Sequence, residues 1–148
     1  MVHALNELRE TIRRDAIVID IRPLAEAWPV EIAWQSGQRQ AGRVTDLAQG
    51  LADDEAANSA MEQGVALGLF ASGERRSFPL FYYWDTPNEM KAYVTENWAD
   101  FITIDDATAA EVGKTWASAN ADARLRIRMT MLVTRYIPGA EPPQKKNR

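Results

Sequence analysis

The spacing of apolar residues changes several times along the chain, and each change marks an element. Leu5, Leu8 and Ile12 recur at helical spacing while Glu7, Arg9, Glu10, Arg13 and Arg14 fill the other faces, which predicts an amphipathic helix over Val2 to Arg14. Ala16-Ile17-Val18-Ile19-Asp20-Ile21 is apolar at five of six positions and mostly β-branched. Apolar residues on both faces predict a central strand covered on both sides. Arg22-Pro23 ends it, since proline has no N–H to give to a ladder. Pro29 to Trp34 alternates, with Val30, Ile32 and Trp34 on one side; Ser36-Gly37-Gln38-Arg39 has turn chemistry, and Gln40 to Thr45 is expected to return antiparallel.

The alanine-rich stretch Ala52 to Leu67 opens on Asp53-Asp54-Glu55, whose charges suit the start of a helix, and Gly64 and Gly68 weaken its end. Leu69 to Ala71 and Ser77 to Trp84 read as strands around a turn at Ser72-Gly73-Glu74-Arg75-Arg76. Thr86-Pro87-Asn88-Glu89 combines a capping residue, a proline suited to the first helical position and the glutamate of a capping box. Met90, Tyr93, Val94 and Trp98 continue that helix, and another is predicted from Ala107 to Ser118. Arg124 to Ile137 alternates as one long strand, ended by Pro138-Gly139. The reading is a single domain over 1–138 with a disordered tail over 139–148. It is an α/β protein with a mixed sheet, antiparallel C-terminal strands and helices packed on the sheet.

Composition narrows the function. A chain of 148 residues with 46% apolar and 26% charged residues can bury a real core. A net charge of −4 argues against a nucleic-acid partner that relies on a positive field. The absence of cysteine excludes disulfides, thiolate metal sites and a cysteine nucleophile. No apolar run approaches the ~20 residues of a membrane span, and the charged start has no signal-type core, so no membrane partner and a cytoplasmic location are expected.

Candidate chemistry is sparse. Asp20 and Arg22 close the apolar strand, where open α/β sheets bind ligands. Arg22 is a candidate contact for an anionic ligand with Trp28 as a wall; the competing reading is an Asp20–Arg22 pair that fixes the strand end. Phe81, Tyr82, Tyr83 and Trp84 are candidates to line a pocket for a flat apolar substrate, against plain core packing. Arg124, Arg126 and Arg128 form a basic stripe that either binds an anion or a partner carboxylate, or is a solvated face or packs across the sheet. Asp105-Asp106 precedes a helix and suits capping better than cation binding. His3, the sole histidine, stands beside the N-terminus, so neither a catalytic triad nor a nitrogen-ligand metal site is expected.

The run from His3 to Pro23, which leads a helix into a strand ending Asp20-Ile21-Arg22-Pro23, resembles a segment of class I S-adenosylmethionine methyltransferases. Here the turn is Arg13-Arg14-Asp15, without the family's usual glycines. Phe81 to Phe101, through Asp85-Thr86-Pro87-Asn88-Glu89, Tyr93 and Trp98, is similar to the sixth strand and next helix of that family, and Arg126 to Tyr136 to its seventh strand. The resemblance implies a partial Rossmann-like fold, the C-terminal half without the cofactor-binding half. No glycine cluster follows an apolar strand, and the pair Gly64 and Gly68 lies in a helical context, so no cofactor residue carries over. The implied function is an associating, non-catalytic or accessory half-domain; the alternative is a subunit or fragment of a methyltransferase acting on a small molecule. S-adenosylmethionine enters only if another chain supplies the missing half. An uncovered strand edge leads to the further expectation of a homodimer or a partner chain.

Overall fold

A computed structural model of the chain describes residues 2–139. The elements run α1 (Val2–Thr11), β1 (Val18–Pro23), β2 (Pro29–Trp34), β3 (Gly37–Arg43), β4 (Thr45–Asp46), α2 (Ala48–Ala66), β5 (Phe70–Trp84), α3 (Pro87–Asn97), β6 (Ile102–Thr103), α4 (Asp106–Ala117) and β7 (Arg124–Pro138). Helices and strands are combined as expected, but the sheet is antiparallel where a mixed one was expected, since short connections such as the β2–β3 turn return a strand against its neighbour. Apart from Gly139, the tail expected over 139–148 lies outside the described residues. The strand order is β1-β7-β2-β3, with β5 also paired to β7. By compactness the chain divides into two units: Met1–Arg22, Asp53–Ser77 and Leu132–Arg148 form the first, and Pro23–Ala52 and Phe78–Met131 the second.

The second unit is built on the β2–β3 hairpin. Trp34 pairs with Gly37 across a two-residue turn, and a bulge falls where Val30 pairs with Gly42 and Glu31 with Gln40. The turn therefore sits at Gln35-Ser36, slightly earlier than the expected Ser36–Arg39. On its other side β2 pairs with β7 from Val30↔Ile127 to Ala33↔Arg124. One sheet face sends Val30, Ile32, Leu125, Ile127 and Met129 into a core completed by Met90 and Val94 of α3 and Val112 of α4. Both helices start on the caps their sequences advertise. Thr86 accepts from Glu89 N–H while the Glu89 carboxylate accepts from Asp85 N–H, and Asp105 accepts from Thr108 N–H at 2.6 Å. Those last bonds hold the Asp105 carboxyl below its usual value.

The opposite face of this unit holds a charged layer. Glu31 is buried, between Arg126 (Nε–Oε2 2.7 Å) and Arg128 (Nε–Oε1 3.1 Å). The Arg126 guanidinium also donates to Gln38 and lies 4.5 Å over the Phe81 ring. Of the readings of the arginine stripe, packing across the sheet describes Arg126 and Arg128, which both pair with Glu31 of β2.

In the first unit α2 packs on α1 and on the start of β5. A Cβ on Gly64 would meet Leu5 at 3.3 Å and Phe70 at 3.6 Å, so the glycine lets α1 lie close. Gly68, at φ +71°, stops α2: Leu69 N–H bonds Gly64 O and Gly68 N–H bonds Val65 O, the paired bonds of a Schellman ending. The two glycines thus serve packing and termination.

Three further expectations fail here. α2 starts at Ala48, before the expected Ala52, so Asp53, Asp54 and Glu55 lie in its second turn and not at its start. Ser72–Arg76 is not a turn, for β5 runs unbroken from Phe70 to Trp84. Its residues from Ala71 to Leu80 are all exposed, so the polar composition that suggested a turn is tolerated within a solvated strand. Nor is β1 a central strand covered on both faces. It stands at the end of the strand order, with Asp20 and Arg22 turned inward and Ile17, Ile19 and Ile21 facing out at 55%, 49% and 57% exposure.

Candidate functional site

The inward face of β1 borders a cleft of about 350 Å³ in the first unit, lined by Arg22, Asn58, Met61, Glu62, Val65, Ala66, Ser72, Arg75, Leu132, Thr134 and Tyr136. That size falls in the range of small-molecule sites. α2 contributes Asn58 and Glu62 one turn apart, β5 contributes Ser72 and Arg75, and the last part of β7 contributes Thr134 and Tyr136. The placement of Thr134 and Tyr136 depends on a change in β7. Its buried positions are Leu125, Ile127 and Met129, then Leu132, Thr134 and Tyr136, a switch of parity within one strand.

Arg22 is the most constrained cation of the cleft. Its Nη2 donates to Asn58 Oδ1 at 2.6 Å, and its Nε lies 3.4 Å from Asp20 Oδ2, an ion pair without a well-formed hydrogen bond. The two side chains are 14% and 19% exposed. Among the described residues, Arg22 Nε and Nη1 and Asp20 Oδ2 are shielded from solvent and have no hydrogen-bond partner. Such groups destabilise the fold unless something else satisfies them. Arg75 and Glu62 line the same cleft and form no ion pair among the described residues.

Tyr136 is buried, and its phenol is held above its ordinary pKa by burial first and then by the Asp20 carboxylate; Arg22, a hydrogen bond to Thr134, and Arg75 pull the other way without cancelling. A phenol so held remains protonated near neutrality and serves as a hydrogen-bond donor. Arginine cannot accept a proton either. Arg22, Arg75 and the Tyr136 phenol suit holding an anion, and Glu62 is the one group of the lining able to take up a proton.

The sequence candidates separate. Asp20 and Arg22 belong to this cleft region. Trp28, Tyr82 and Trp84 belong to the second unit, in an aromatic cluster where Trp28 and Tyr82 meet Trp98 edge-on at 6.0 and 4.9 Å and Trp84 lies 5.5 Å from Tyr93. Tyr83 lies instead beneath the arginines, its ring 5.4 Å from Arg124. Asn58, Arg75 and Tyr136 carry no distinguishing signal in the sequence: Asn58 lies in an alanine-rich helix, Arg75 in a polar stretch that reads as a turn, and Tyr136 at the end of a regular strand.

A second cleft, of about 330 Å³, lies in the second unit between α3 and β6, but Lys91 is the only charged residue among those that line it. Among the described residues there is no group of three or more His, Cys, Asp or Glu placed to hold a metal, and no helix is long and apolar enough to cross a membrane. No known protein family, curated protein or solved structure matches the chain.

Proposed function

We propose that this chain is a non-catalytic binding protein whose first unit takes a small ligand bearing a carboxylate or phosphate group. The observation that carries this reading is the Arg22 guanidinium, fixed by Asn58 and Asp20 at the wall of the cleft with two nitrogens lacking hydrogen-bond partners among the described residues. Arg75 supplies a second cation, and the protonated Tyr136 hydroxyl a neutral donor. Glu62 at the same cleft disfavours a bare polyanion, so a ligand that also carries a positive or neutral polar group fits better. The methyltransferase-like pattern is kept as a proposal of ancestry, with the cofactor-binding half supplied, if at all, by another chain.

Calorimetric titration tests this. Inorganic phosphate and acetate serve as minimal probes, and S-adenosylmethionine, itself a carboxylate, as a third. Loss of one charge-assisted contact is worth ~1.5–3 kcal/mol, or roughly 10- to 150-fold in affinity. Saturable binding of an anion probe that Arg22→Gln weakens by that factor, and Arg22→Lys by less, is the expected result. Equal binding by wild type and R22Q, or no heat from either anion at tens of millimolar, would overturn it. Binding of S-adenosylmethionine near one site per chain, with neither simple anion bound, would put a methyltransferase subunit in its place.

A further inference from the structure

The charges around the first-unit cleft balance. Arg22 and Arg75 bring two positive charges, Glu62 one negative, and Asp20, 3.4 Å from Arg22, the other. A ligand of zero net charge matches such a site better than a bare anion or a bare amine. The charges are also graded by depth. Arg22 is 14% exposed and shares the cleft wall with the buried Leu132, Thr134 and Tyr136, whereas Glu62 and Arg75 are exposed and so stand at the rim. Glu62 follows Asn58 by four residues on α2, which puts the two on one face at a rise of ~6 Å. Asn58 Oδ1 holds Arg22 Nη2, so about one helical turn separates the anchored cation from the anion at the rim.

We infer that the ligand is a free α-amino acid with an apolar side chain. This rests on the reading of the cleft as an anion site and adds to it a place for an ammonium group. The carboxylate goes to Arg22, whose Nε and Nη1 lack partners among the described residues. The ammonium goes to Glu62, which forms no ion pair among the described residues. Two charge-assisted contacts of ~2.8 Å take up most of one helical turn. That span favours an ammonium and a carboxylate carried on one carbon over charges held several bonds apart. The side chain then lies along Met61, Val65, Ala66 and Leu132, the apolar part of the lining. A second carboxylate on the ligand would upset the balance of charge. A volume of about 350 Å³ stands near the low end of ligand sites, which suits a single amino acid better than a nucleotide-sized molecule.

The cleft of the second unit supplies the contrast. It is of similar size, but Lys91 is the only charged residue of its lining, so it has nothing to offer an ammonium group.

Titration of the full chain followed by amide NMR tests the inference, because it measures weak constants and locates the ligand. The probes are leucine, isocaproate (leucine without its ammonium) and ε-aminocaproate (the two charges at opposite ends), with acetate alongside. Isocaproate forgoes an exposed ion pair, worth roughly 2- to 5-fold, and meets Glu62 as a like charge, so leucine is expected to bind about 5-fold more tightly. Leucine should also bind more tightly than ε-aminocaproate, and the shifts should fall at Asn58 and Glu62. In Glu62→Gln, leucine and isocaproate should bind alike. The comparison of ligands on wild type stands even where E62Q misfolds. Isocaproate or ε-aminocaproate binding as tightly as leucine, a folded E62Q that keeps the full preference for leucine, or shifts at Lys91 and Thr95 instead would each overturn the inference. Acetate keeps the two failures apart. Acetate bound at Arg22 with leucine no tighter than isocaproate sinks the amino acid alone, and saturation by none of the four probes sinks the anion site with it.

Discussion

Replacing Glu31 with glutamine is expected to destabilise the protein by about 2–3 kcal/mol, and the magnitude follows from how unequally its two partners are buried. The Glu31 side chain is 3% exposed, Arg126 13% and Arg128 38%. Arg126 is nearly dry, so loss of its carboxylate costs about what a charge-assisted hydrogen bond is worth, ~1.5–3 kcal/mol. Arg128 can turn to water, and its share is that of an exposed pair, about 0.5–1 kcal/mol. The amide oxygen of glutamine still accepts one guanidinium bond, which trims the upper end. For a chain of this size ~1 kcal/mol moves the melting temperature by about 3 °C, so a fall of roughly 6–9 °C is expected. Urea unfolding followed by tryptophan fluorescence, with thermal melts beside it, measures the change. Arg128→Gln alone should cost little, and the double variant should cost less than the two single losses added, because the carboxylate that R128Q leaves behind is already gone. If E31Q lies within ~0.5 kcal/mol of wild type, the charged layer is not held by Glu31, and the cation–ring contacts of Arg126 with Phe81 and Tyr83 carry it instead.

Two further outcomes are expected. Gly68→Ala forces a Cβ into the left-handed region at the end of α2 and should cost ~1 kcal/mol, read by the same urea unfolding; no loss would mean that α2 ends without the Schellman bonds. The raised pKa of Tyr136 makes a prediction for alkaline solution. Above about pH 10 the unfolded chain releases this proton while the folded chain keeps it, so stability falls as pH rises from there to the folded pKa, and it is unaffected below. Tyr136→Phe should flatten that slope, and phenolate absorbance should show one tyrosine ionising after the rest; identical alkaline slopes for the two proteins would refute the assignment.

Local chemistry was the legible part of the fold. Thr86 and Glu89, and Asp105, mark helix starts through bonds made within four residues, and these are the caps observed. The alternation of β7 was equally plain, but its change of parity between Met129 and Leu132 was not, since a run of aliphatic residues reads the same on either face. The error over β1 has a related cause. Counting apolar residues assigns the buried face to the isoleucines, whereas Asn58, thirty-six residues further on, holds the arginine inside. Of the six candidate residues only Arg22 and Asp20, legible from their place at a strand end, belong to the cleft region. The rest depends on α2, β5 and the end of β7 meeting at one cleft, a convergence that no local spacing encodes.

The first unit is assembled from three separate stretches of chain, the last of which begins at Leu132. During synthesis its first stretch, which ends at Arg22, must wait roughly 110 residues for β7, about 6–22 s at ~5–20 residues per second. Through that interval the guanidinium of Arg22 has neither Thr134 nor Tyr136 beside it, and the cleft lacks Leu132. A nascent chain stalled before residue 132 would leave the apolar side of the cleft, Met61 and Val65, open to the holdases of an expression host. Folding of this unit is thus set by the arrival of its last strand, and truncations that remove β7 should be captured as aggregates or chaperone complexes even though they retain both of its helices.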